Sequence, residues 1–127
     1  MSKRLLTFVF GLLVAVAMAY TSTLSTQHKH ALHTQGILHP WLHFFGFALL
    51  AFLLIRATRS QVLRIVLFAA LLFFGWATEE HEGHRNGWPI EWKDVHTDEI
   101  GVALGFVLAL IRPARQRTAA PELTTTN

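Results

Sequence analysis

The sequence predicts an all-α membrane protein, a four-helix transmembrane bundle with both termini cytoplasmic. Three observations lead there. Hydrophobic residues make up 52% of the 127 and charged residues only 15%, where a soluble domain carries about a quarter. The apolar residues fall in four runs, at about 5–20, 41–55, 62–77 and 95–111, with polar stretches between them. Lys and Arg gather on one side of that alternation, the side the positive-inside rule assigns to the cytoplasm.

Taken in order, residues 1–4 are a basic head with Lys3 and Arg4. The run from Leu5 to Tyr20 is close to the lower limit for a spanning helix, about 17 residues. It also has the pattern of a signal peptide, with Ala17-Met18-Ala19 as an A-x-A-like cleavage site. In either reading the chain starts inside and the next segment lies outside. Thr21 to Pro40 reads as a polar loop containing His28, His30, His33 and His39, punctuated by Gly36 and Pro40. Short histidine-rich tracts of this kind can capture metal.

Trp41 opens the second run as an interfacial aromatic, with His43 at its outer end. Arg56, Arg59 and Arg64 mark a short basic connection, from which Arg64 can snorkel out of the third run. That run closes at Trp76 and Ala77. Thr78 to Lys93 is acidic and histidine-rich, with Trp88 and Trp92 as anchors at the membrane surface. The fourth run opens on Asp94, His96, Asp98 and Glu99, and carboxylates there suit the positive end of a helix dipole. Gly101-x-x-x-Gly105 is a small-xxx-small spacing that lets helices pack closely. Arg112, Arg115 and Arg117 end the run, and residues 112–127 form a basic cytoplasmic tail expected to be disordered. Residues 5–111 thus make one membrane domain.

With both termini inside, eight of the eleven Lys and Arg residues are cytoplasmic, and Lys29, Arg85 and Lys93 are outside. All eight histidines and every acidic residue except Glu122 fall on the outer side. The chain is expected to be a multi-pass protein of the cell membrane with lipid as its first partner. A net charge of +3 gives little reason to expect nucleic acid. The absence of cysteine excludes disulfides, thiolate metal sites and thiol nucleophiles.

Carboxylates so close to hydrocarbon are costly, and that makes them the functional hypothesis. The third helix is expected to continue past Ala77, where Glu79 and Glu82 share a face, as do Glu80 and His84, and His81 and His84. Asp94 and Asp98 are i, i+4 partners in line with Gly101 and Gly105. If the two helix faces meet, Glu79, Asp94 and Asp98 converge just under the headgroups. His43, Glu79, Asp94 and Asp98 are the candidate polar site, with Glu80, His81, Glu82, His84 and Arg85 as a second tier.

Three chemistries remain open. The cluster can bind a divalent cation, with His43, Glu79, His81 and His84 as candidate ligands. His81-Glu82-Gly83-His84 is one residue short of H-E-x-x-H, so no zincin is implied, and no organic cofactor is expected. A carboxylate and a histidine can act as an acid–base pair on a lipid-linked substrate. The polar residues can also simply bond one another, with Arg85 or Lys93, and lock the helices of a structural or assembly subunit.

From about His43 to Ala109 the residues resemble the VanZ-like family of small multi-spanning bacterial membrane proteins. The resemblance rests on His43-Phe44 at the start of the second run and Gly75-x-x-x-Glu79 at the end of the third. It continues in Asp94-x-x-x-Asp98-x-x-Gly101-x-x-x-Gly105, similar to the family's D-x-x-x-N-x-x-G-x-x-x-G, with Arg85 standing for an arginine commonly found before it. The chain departs in having Asp98 for the usual Asn and Glu82 where an E-x-x-Q pattern has Gln, and its stretch from Asn86 to Lys93 is longer. The resemblance implies a first span that is retained. It also implies a role in the cell envelope through a lipid or cell-wall precursor headgroup, linked to glycopeptide (teicoplanin-type) antibiotic resistance. It brings no defined reaction.

Overall fold

The computed structural model describes residues 2–24, 27 and 36–111; His28, His30, His33, Lys29 and the tail from 112 lie outside the described residues. Four helices carry the structure: α1 (Lys3–Ser22), α2 (His39–Ala57), α3 (Gln61–Asn86) and α4 (Trp92–Leu110), with a 3-10 turn at Gly36–Leu38 leading into α2. There is no strand among the described residues.

Local chemistry sets the ends of these helices. The Ser2 hydroxyl accepts from the Leu5 amide, and the Ser60 hydroxyl accepts from the Leu63 amide, so α1 and α3 each begin on a serine cap. α2 begins at His39, two residues earlier than the apolar run. Pro40 occupies its first turn, where a missing N–H costs nothing, instead of closing the preceding loop. α3 extends through 26 residues to Asn86 and ends at Gly87, whose φ of 75° is the left-handed cap glycine favours. At 1.5 Å per residue it is about 39 Å long, longer than the hydrocarbon core, so its acidic last turns stand beyond the apolar part. The stretch 78–86 is therefore helix, and α4 begins at Trp92 instead of 95.

α1, α3 and the segment Gly36–Ala57 are each long and apolar enough to cross a membrane. α4 carries Lys93, Asp94, Asp98 and Glu99 in its first two turns and is apolar after them. The outward faces are apolar too: Leu13 is 60% exposed, Phe73 64% and Val107 56%. An apolar surface of that extent needs a hydrocarbon environment or a partner.

The core is small and centres on α2, where Phe47, Leu50, Ala51 and Leu54 meet Leu71 of α3 and Val102 of α4. α1, α3 and α4 all pack on α2. The tightest contact is with α4. A Cβ on Gly101 would lie 2.5 Å from the Phe44 carbonyl oxygen, and one on Gly105 would overlap the carbonyl of Ala48. The small-xxx-small pair thus serves a backbone-to-backbone contact with α2 that begins one turn below Asp98 and two turns below Asp94.

The described charges separate along the bundle. Every described carboxylate lies between Glu79 and Glu99, at what is here the acidic end. Lys3, Arg4, Arg56, Arg59 and Arg64 line one hollow at the other end. Gly105→Leu is expected to destabilise the bundle by about 1–3 kcal/mol through overpacking. Ala103→Leu, on the exposed face of the same helix, should change little. Thermal unfolding of both variants in detergent compares them directly.

Candidate functional site

The first turns of α2 place His39 and His43 at i, i+4, on one face of the helix. Their ring centroids are 4.4 Å apart. α4 presents Asp94 and Asp98 with the same spacing, because its glycines hold it against α2. His39 Nε2 lies 3.4 Å from Asp94 Oδ2, and His43 Nδ1 lies 2.9 Å from Asp98 Oδ1. From α3, Glu79 brings Oε1 to 3.5 Å from the same His43 nitrogen. Gly75, one turn earlier on α3, makes room for this meeting: a Cβ there would lie 3.1 Å from the Cβ of Asp98.

Asp98 is 1% exposed and Glu79 5%. With Asp98 ionised, Nδ1 of His43 carries the proton and donates it to Oδ1. That single N–H is then spent, so the approach of Glu79 is electrostatic only. Accordingly Glu79 Oε1 and Asp98 Oδ2 are buried without a hydrogen-bond partner. Just outside the helices, desolvation at the boundary of α4 and the neighbouring Asp94 hold the Glu91 carboxyl above the usual carboxylate range. The tautomer that Asp98 selects leaves Nε2 of His43 with a lone pair, able to take a proton or bind a metal.

The cluster borders a cavity of about 310 Å³ between α1, α2 and α3. His39, His43, Glu79 and Glu82 supply its charged and imidazole lining, and Val14, Ala17, Met18, Leu42 and Phe47 most of the rest. Glu82, from the second tier, is buried on the same face of α3 as Glu79. Glu80, His81 and His84 are on another face, around a separate hollow with Trp76 and Ala77. Arg85 and Lys93 are exposed, and His96 pairs locally with Glu99 at 3.0 Å.

The metal candidates therefore divide. His43 and Glu79 belong to a group able to hold an ion, but His81 and His84 do not join it. The third member is His39, and the ligand atoms of the three all lie within 4.8 Å of one another. Helical geometry explains the division: positions 79 and 82 share one face of α3, while 81 and 84 are rotated about 100–200° from Glu79. His39 is missing from the sequence-derived site because Pro40 reads as loop punctuation. The H-x-x-x-H spacing of residues 39 and 43 was the available signal.

No protein-family model, curated protein or solved structure matches the chain. His43→Ala leaves Asp98 buried with no partner and is expected to destabilise by on the order of 3 kcal/mol. His84→Ala, on the exposed face, should stay within about 0.5 kcal/mol. Reversible unfolding in mixed micelles would resolve that difference.

Proposed function

We infer that this is a VanZ-like integral membrane protein of the cell envelope that engages the polar headgroup of an amphipathic ligand. The ligand class is a lipid, a lipid-linked cell-wall precursor or a lipid-bearing glycopeptide antibiotic. One observation carries the reading: a cluster of half-buried imidazoles and buried carboxylates borders a cavity otherwise lined mainly by apolar side chains. Such a cavity suits a molecule with a hydrocarbon part and a hydrogen-bonding head. Glu79, which lines the cavity, has a buried acceptor oxygen without a hydrogen-bond partner. It calls for a head that carries donors, such as hydroxyl, amide or ammonium groups. The basic end of the bundle supports placing the cluster on the outer side, by the positive-inside rule.

Antibiotic susceptibility of cells expressing the wild type, Glu79→Gln or Asp98→Ala tests this, with membrane abundance matched by immunoblot. The expected result is a glycopeptide-specific shift that the equally abundant variants lose. No shift with the wild type removes the resistance role. Variants that fail to accumulate make the cluster a device for holding helices together.

A specific arrangement favours a second reading, a divalent cation on His39, His43 and Glu79. Each imidazole also faces a carboxylate, Asp94 or Asp98, and such partners orient metal-binding histidines. An ion there would offset the buried negative charge and give an enzyme acting on a lipid-linked substrate a Lewis acid. Zinc titration of the purified protein by calorimetry is expected to show one site. Asp98→Asn should weaken it about 10- to 100-fold, and a wild type that takes up no ion rules the reading out.

A further inference from the structure

The basic end of the bundle holds a second cavity, of about 450 Å³. Lys3 and Arg4 of α1, Arg56 of α2, Arg64 of α3 and Arg59 in the α2–α3 connection line it, and no acidic side chain does. Two of these cations are fixed in place. Arg56 Nη1 donates to the carbonyls of Ala109 and Ile111, at 3.3 and 2.9 Å. Arg64 donates from Nε and Nη2 to the Thr58 carbonyl, at 3.0 and 2.8 Å.

Carbonyl partners orient a guanidinium but leave its charge in place. Lys3, Arg4 and Arg59 are exposed and add theirs to the same hollow. Like charges sharing one concavity repel, and the repulsion grows as the local dielectric falls. Every described carboxylate is at the far end of the helices, so the described chain supplies no counter-charge. Guanidinium groups match the oxygens of a phosphate in bidentate fashion. Basic pockets between membrane helices on the cytoplasmic side bind phosphate headgroups for this reason.

We propose that this cavity binds the phosphate of an anionic membrane phospholipid, seated between the first turn of α1 and the connection from α2 to α3. The acyl chains of that lipid would lie along the apolar outer faces of the same helices. This site is independent of the cluster at the acidic end and stands whether or not that cluster binds a headgroup.

Native mass spectrometry of the full chain in a neutral detergent, with phosphatidylglycerol or phosphatidylcholine added, measures the binding. The wild type is expected to retain phosphatidylglycerol selectively. The double variant Lys3→Gln/Arg59→Gln should bind it on the order of tenfold more weakly. Neither side chain is part of the core, and a circular dichroism melt coincident with the wild type checks the fold. Arg4→Gln, with a smaller loss, provides a second variant. Equal retention of the two lipids by the wild type overturns the proposal, as does undiminished binding by both variants. Inorganic phosphate that displaces the lipid more than chloride at equal ionic strength reassigns the site to a soluble phosphate.

Discussion

The approach of α4 to α2 at Gly101 and Gly105 is the contact on which the other features depend. With no side chain at either position, backbone meets backbone. In hydrocarbon, where burying apolar surface brings no net gain, close packing of this kind is a main source of helix association. The same stripe of α4 carries Asp98 one turn, and Asp94 two turns, nearer the acidic end than Gly101. Seating the glycines therefore fixes how near those carboxylates come to His39 and His43.

An energetic tension follows. An aspartate at the centre of a spanning helix costs about 2.5–3.5 kcal/mol on insertion scales, whereas a hydrogen bond between membrane helices returns about 0.6 kcal/mol on average. The His43–Asp98 bond alone does not offset Asp98, and Glu79 beside it has no hydrogen-bonded partner for Oε1. Position softens the cost, since the cluster lies near the helix ends. A proton, a cation or a donor-rich headgroup would soften it further.

The four helices were legible in the sequence because hydropathy is a long-range pattern that survives small errors of boundary, and three of them are long and apolar enough to cross a membrane. The convergence of Glu79, Asp94 and Asp98 near His43 was legible as well, from i, i+4 spacing and the glycine stripe. His39 was not, since a proline after a polar stretch reads equally as a loop end or a first helical turn, and only packing on α4 decides it. His81 and His84 read as site residues from their density in the sequence. Which face of α3 turns inward is set by Gly75 and Glu79 against Asp98, and three-dimensional contact of that kind leaves little trace in one sequence.

The cavity at the acidic end is walled partly by α1, through Val14, Ala17, Met18, Thr21 and Ser22. The opposite face of that helix is apolar and exposed. With α1 embedded in a bilayer, the part of an occupant beside Val14, Ala17 and Met18 sits at the depth of the lipid chains, with its head toward the acidic end. Its hydrocarbon part exchanges one oily surrounding for another, so tail length contributes little to selectivity. Discrimination between ligands then falls almost entirely to the few polar atoms of the head, and the relevant concentration is mole fraction in the membrane instead of molarity in water.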